Sequence, residues 1–168
     1  MTISAATRAT IRAAYDHRCG YCGVREIWVG NALEIDHFRP ISHDGADELD
    51  NLVYAWTACN RFKGDYWPTH TTPESFRLLH PLRDNLTLHI DQASSGRLVG
   101  LTSRGWFHIN WLHLNRELLI QLRRWQQEER VFHTALAQAQ TIKHSLQQRI
   151  VELEEEVNRL QALIDRLA

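Results

Sequence analysis

The chain has 168 residues, 43% of them hydrophobic and 23% charged, with a formal net charge of −1; this suffices for one domain plus an appendage and gives no global field to attract a polyanion. No apolar run approaches the length that crosses a bilayer, and the stretch MTISAATRATIRAAYDHRC lacks the apolar block of a secretory signal. Three cysteines are an odd count, which argues against a full disulfide framework and for a reducing compartment or a metal, so the chain is read as cytoplasmic.

In chain order, residues 3–15 read as a short helix with Ile3, Ile11, Ala14 and Tyr15 available for one face. His17-Arg-Cys19-Gly-Tyr-Cys22-Gly23 is a tight knuckle. Residues 24–35, with Ile27, Trp28, Val29, Leu33 and Ile35 broken by Gly30-Asn31, have the pattern of a hairpin or two short strands. Pro40 to Asp50 is a polar loop. Residues 51–64 read as a helix ended by Gly64. Residues 65–85 hold three of the four prolines and read as an irregular surface connection. Residues 86–101 alternate and turn at Ser94-Ser95-Gly96, a second hairpin. From Ser103 a helical pattern runs to the end without proline, and without glycine after Gly105. The expected domains are therefore 1–102 and a long helix over 103–168.

Charge is unevenly spread. Residues 51–125 carry 9 Lys/Arg against 5 Asp/Glu, and residues 126–168 carry 5 against 7. A polyanion is best accommodated by the middle third, through local contacts; scattered solvated charges account for the pattern equally well.

The chemistry-bearing string is Glu34-Ile-Asp36-His37-Phe-Arg-Pro40, then Asp50-Asn51-Leu52, then Cys59-Asn60-Arg61-Phe62-Lys63-Gly64. His37 and Asn51 are 14 residues apart, and Asn51 and Asn60 are 9 apart. An Asp-His pair alone is an ordinary surface feature, Asn51 alone an N-cap or turn residue, and Lys63 alone a solvated helix end. In this order and spacing the residues resemble the HNH endonuclease family. The resemblance implies an α+β fold: a ββα-metal core, here with an additional hairpin and a long C-terminal helix.

It also implies roles. Cleaving a phosphodiester needs a deprotonated water and a cation facing the developing charge. His37 is the candidate general base, since its ordinary pKa lies near neutrality. Asp36 and Asn60 are the candidate ligands of Mg²⁺ or Mn²⁺, which accept oxygen donors and retain waters. Alternation along a strand points Asp36 away from His37. Asn51 is the orienter of the loop that carries the base. Arg61, Lys63 and Arg83 are the candidate phosphate contacts. The implied activity is hydrolysis of DNA to 5′-phosphate and 3′-hydroxyl ends, in defence against foreign DNA. The competing readings are a non-catalytic nucleic-acid-binding adaptor and a nuclease acting on RNA.

Relatives in this family often bracket the site with two Cys-x-x-Cys knuckles that bind a structural zinc. Cys19 and Cys22 supply the first, but Trp56 stands where a cysteine should accompany Cys59. Structural zinc is nearly always four-coordinate, so the expectation is sub-stoichiometric or absent zinc, with His17 the first fourth ligand to test. Leu79-His80-Pro81-Leu-Arg83-Asp84, Gly96-Arg97 to Gly105, and Leu112-His-Leu114-Asn115-Arg116 further resemble an extension of small stand-alone bacterial HNH proteins, with His80 and Arg83 near the phosphate path or in a packed turn.

Residues 136–167 fit a heptad repeat. Leu136, Lys143, Ile150, Val157 and Ile164 fall at a, and Ala139, Leu146, Leu153, Leu160 and Leu167 at d. β-branched residues at a with leucine at d favour a parallel two-stranded coiled coil. The expected partner is a second copy of this chain or another protein. Trp106, Phe107, Trp111, Leu114, Leu118, Leu122 and Trp125 form a wider face suited to docking on the catalytic domain.

Overall fold

The computed structural model describes residues 3–167, the side chain of Leu167 excepted. Helix α1 (Ala5–Ala14) starts at Ser4, whose side chain accepts from the Thr7 amide, satisfying one of the free donors of a first turn. A knuckle follows, closed by an isolated bridge between Arg18 and Arg25. Helix α2 (Glu26–Val29) ends at Gly30 in the left-handed region, at φ 70°. Strand β1 (Glu34–His37) pairs antiparallel with β2 (Leu52–Ala55), setting Asp36 opposite Val53 and His37 opposite Leu52. Helix α3 (Thr57–Lys63) follows directly and completes a ββα unit.

Two expectations are corrected here. Residues 24–35 are not a hairpin but a one-turn helix and the first strand, whose partner lies beyond the loop. Residues 52–55 are that partner and not the start of a helix. All four are buried, and a strand covered on both faces shows no alternation in its sequence.

The second hairpin is present as β3 (Ile90–Gln92) and β4 (Leu98–Gly100), with Gly96 at φ 80° in its turn. The helical pattern after Ser103 is not continuous. Helix α4 (Ser103–Trp111) stops at a junction where His113 takes φ 49°, and α5 (Glu117–Leu167) begins beyond it. Gly105 lets α4 meet the hairpin: a Cβ there would lie 1.9 Å from the His89 carbonyl oxygen.

The chain divides into two compact units, Met1–Arg124 and Trp125–Ala168, so the boundary falls within α5 and not before Ser103. The core of the first unit includes Ile11, Tyr21, Leu33, Phe38, Leu52, Tyr54, Cys59, Ile109, Leu112 and Leu114. In the second unit every residue from Val131 to Arg166 is exposed. The final d residue of the heptad, Leu167, has its side chain outside the described residues, as has Ala168 altogether.

Two buried histidines make this core sensitive to acid. Burial, reinforced by Arg104, holds His108 down to about 3. Burial, reinforced by Arg83, holds His80 down to about 4. Both are thus neutral in the folded chain at pH 7, while the unfolded chain titrates them near pH 6.5. Their contribution to stability is full above about pH 6.5 and declines as the pH falls through the window below it, because the unfolded chain then binds more protons. Asp36, raised by burial, acts in the opposite sense, so the informative quantity is a difference between variants. His108→Asn keeps an acceptor for the Leu79 amide. It is expected to remove about 1.4 kcal/mol per pH unit of that dependence between pH 6.5 and 5. Urea unfolding at several pH values measures this, and a slope equal to that of the parent chain contradicts it.

Candidate active site

Positions two apart on a strand share a face, so β1 presents Glu34 and Asp36 together. Glu34 accepts from Thr57 Oγ1 at 2.7 Å and from Asn60 Nδ2 at 2.8 Å. The Asn60 amide beside it, and then its own burial working in opposition, leave the Glu34 carboxyl below its usual range. Asp36 is buried and accepts from the Tyr21 hydroxyl and, at 3.0 Å, from Lys63 Nζ. Its burial raises the carboxyl pKa against the pull of Lys63.

The Lys63 side chain has no exposed surface. Its ammonium also donates to the carbonyls of His37, at 2.7 Å, and Gly64, at 3.3 Å. This corrects the expectation that Lys63 touches phosphate: an ammonium with all three partners inside the protein has none left for a ligand. Arg61 is exposed, and Arg83 is half exposed, lying over the Phe38 ring and 3.8 Å from Asp50.

His37 is mostly shielded, and its Nε2 lies 2.6 Å from Asp47 Oδ1. The loop that brings Asp47 there is pinned by Asn51. Its Nδ2 donates to the carbonyls of Arg39 and Ala46, and its Oδ1 accepts from the Arg39 amide at 2.8 Å. Gly45 permits the tight return, since a Cβ there would lie 1.8 Å from the Arg39 oxygen. His80 is no part of an open path. It is buried, its Nδ1 accepts from the amides of Leu82 and Arg83, and its ring meets Phe38 edge-on at 4.6 Å.

Sequence reasoning missed Glu34, Tyr21 and Asp47 as site residues. The Glu-x-Asp spacing on β1 was a signal for Glu34. Nothing local distinguishes Asp47 from the other acids of its loop.

The cysteines form a second centre. The knuckle is held by Cys19 N to Val24 O at 2.8 Å and Gly20 N to Tyr54 O at 2.8 Å. This places Cys19 and Cys22 against Cys59 of α3, with the three sulfurs within 4.8 Å of one another. It is the one such potential metal-binding group found among the described residues. Burial opposes ionisation of Cys19, yet hydrogen bonds from Cys22 and Cys59 lower its thiol. Those donors are raised in turn, Cys59 to about 12. Three thiols at this spacing suit a thiophilic ion such as zinc. His17 is not part of the gathered set; its Nδ1 pairs with Glu26 at 3.1 Å. Arg116 donates to Cys59 Sγ at 3.4 Å and lies over the Trp56 ring at 5.2 Å.

Two comparisons bear on this arrangement. Over 136 aligned residues, covering 65% of this chain, the sequence is 26% identical to the Septu protein PtuA of Bacillus mycoides (strain KBAB4). The chain spans 19% of that relative's length. Residues 19–66 match the sequence family described as HNH endonuclease. That interval begins at Cys19, takes in the knuckle, both paired strands and α3, and ends just past Lys63, so the ββα unit with its three gathered thiols is an HNH endonuclease domain.

Proposed function

We propose that this domain hydrolyses phosphodiester bonds of DNA by general-base catalysis from His37, in the setting of defence against foreign DNA. The observation that carries the proposal is the His37–Asp47 contact. A carboxylate on Nε2 fixes the tautomer in which Nδ1 is free to act as a base. Nδ1 takes a proton from water, the hydroxide adds to phosphorus, and the P–O3′ bond breaks, the departing O3′ taking a proton from solvent water. The products are a 3′-hydroxyl and a 5′-phosphate. The likeness to a Septu protein supports the defence setting.

The donor chemistry at the β1–α3 junction fits a hard divalent cation in kind, since Asp36, Glu34 and Asn60 all offer oxygen. In this reading Asp36 and Asn60 would hold it. Bound there, Mg²⁺ or Mn²⁺ supplies positive charge to the scissile phosphate. Arg61 and Arg83, both accessible, supply phosphate contacts in this reading.

His37→Ala is expected to reduce plasmid nicking by about 10²–10⁴-fold. Asp47→Ala is expected to cost about 10–100-fold through loss of orientation, with Asp47→Asn intermediate because its amide oxygen still accepts the hydrogen bond from Nε2–H. Nicking of supercoiled plasmid in Mg²⁺ or Mn²⁺ tests this; a His37→Ala protein within a few-fold of the parent removes the base assignment.

Lys63→Met is expected to lower stability by about 3–5 kcal/mol, the usual cost of leaving a buried charge unpaired, whereas Arg61→Ala leaves stability unchanged and weakens DNA binding. Equal denaturation midpoints for the two variants contradict the division.

The second unit is proposed to be a parallel homodimeric coiled coil over residues 136–168. The apolar positions Ile150, Leu153, Val157 and Leu160 are all exposed. Arg149 at g, which pairs within its own helix with Glu152 at 2.8 Å, is in register for Glu154 at e of a second copy. Two sites related by a two-fold axis then cut both strands. Truncation after Arg130 is expected to yield a monomer that nicks DNA but linearises it slowly. Light scattering decides, since a monomeric full-length chain at micromolar concentration defeats the homodimer.

A further inference from the structure

A cavity of about 110 Å³ lies just past the end of β1, lined by Phe38, Tyr66, Trp67, Pro68 and Leu78 together with Arg77 and Arg104. Phe38 is the residue after His37. Its ring meets Trp67 edge-on, with centroids 6.1 Å apart. Tyr66 is fixed by a hydrogen bond to the Phe76 carbonyl and by packing on Trp111, with ring centroids 4.3 Å apart. The walls are therefore preset and not mobile surface rings. Arg39 lies over the Trp67 ring at 5.7 Å.

We infer that this cavity seats one unpaired nucleobase of the nucleic-acid strand being cut. The inference rests on the nuclease reading for the polymer, and on the lining itself for the base. Besides the aliphatic Pro68 and Leu78, the lining is three aromatic residues and two arginines. That combination suits a π-system attached to a phosphate chain.

The donors of Arg104 are already used, on the carbonyls of Arg77 and Leu78 and on Asp84 and Glu74. The pocket thus holds a base chiefly by stacking, with Arg77, whose buried Nε makes no hydrogen bond, supplying the remaining donors, so it accepts different bases. A base within a duplex must first leave its stack, at a cost of a few kcal/mol. Occupancy therefore favours bulged, mismatched or frayed positions.

The test uses the full chain in EDTA, where divalent-dependent cleavage is blocked. Labelled duplexes of one sequence carry either a single bulged 2-aminopurine or an abasic residue at the same place. Binding is followed by anisotropy and by 2-aminopurine emission. The base-bearing duplex is expected to bind about 5- to 100-fold more tightly, with its emission quenched on binding. Bulged adenine and thymine are expected to agree within a few-fold.

Trp67→Leu should erase the preference while leaving the affinity for the abasic duplex unchanged. Emission from the unaltered chain is independent of how that variant folds. Equal affinity for the two duplexes with unchanged emission overturns the inference, as does failure to bind either. A chain with the preference that cuts no DNA in Mg²⁺ or Mn²⁺ overturns the nuclease reading alone. A chain that cuts through His37 but lacks the preference overturns the pocket alone.

Discussion

Beneath the β1–β2 ladder, the Lys63 ammonium is bound by Asp36 Oδ1 at 3.0 Å and by the His37 carbonyl at 2.7 Å. An ion pair this deep gains little net stability, since desolvation of both charges offsets most of their attraction. Its effect is positional. It fastens the last turn of α3 to the end of β1, and by holding the His37 backbone it fixes where the imidazole stands. Tyr21 reaches the same carboxylate from the knuckle, so the thiol cluster, both strands and the helix meet at one buried charge. Trp111 of α4 adds a donor to the Lys63 carbonyl at 3.3 Å, tying the following helix to that junction.

Much of the site was legible because its geometry is local. Asp36 and His37 fall on opposite faces by strand alternation alone, and Asn51 and Asn60 lie where a loop closes and a helix begins. The second hairpin was legible from its turn residues, Ser94-Ser95-Gly96. The strand Leu52–Ala55 was not, because a fully buried tetrapeptide carries no periodicity to separate it from a helix. The break between α4 and α5 carries neither glycine nor proline; His113 takes the left-handed conformation that tertiary packing imposes. Lys63 was misread for a related reason. A lysine beside a C-cap glycine is usually solvated, and only the fold reveals that it lies under a strand holding the acid that receives it. Asp47 is one of several acids in a polar loop, and its contact with His37 depends on how Asn51 and Gly45 fold that loop back.

The second unit obeys a different logic. From Val131 to Arg166 every side chain is exposed, so this segment gains nothing from a core of its own. Intrinsic propensity and pairs such as Arg149 with Glu152 contribute only a few tenths of a kcal/mol each. Most helical stability in proteins comes from packing an apolar face. The stripe through Ile150, Leu153 and Val157 is such a face, and its narrowness suits another helix better than a sheet.

The replacement of a fourth cysteine by Trp56 has a consequence in redox terms. Sulfurs within 4.8 Å of one another need only modest side-chain movement to reach bonding distance, and a disulfide consumes them two at a time. With three in the cluster, any internal bridge strands the third. If that third sulfur is Cys59, it is left fully buried beside the guanidinium of Arg116, which donates to it at 3.4 Å, where burial keeps a thiol out of reach of reagents. A chain oxidised in that way would retain, inside its HNH domain, a single buried thiol with no second sulfur left to pair with.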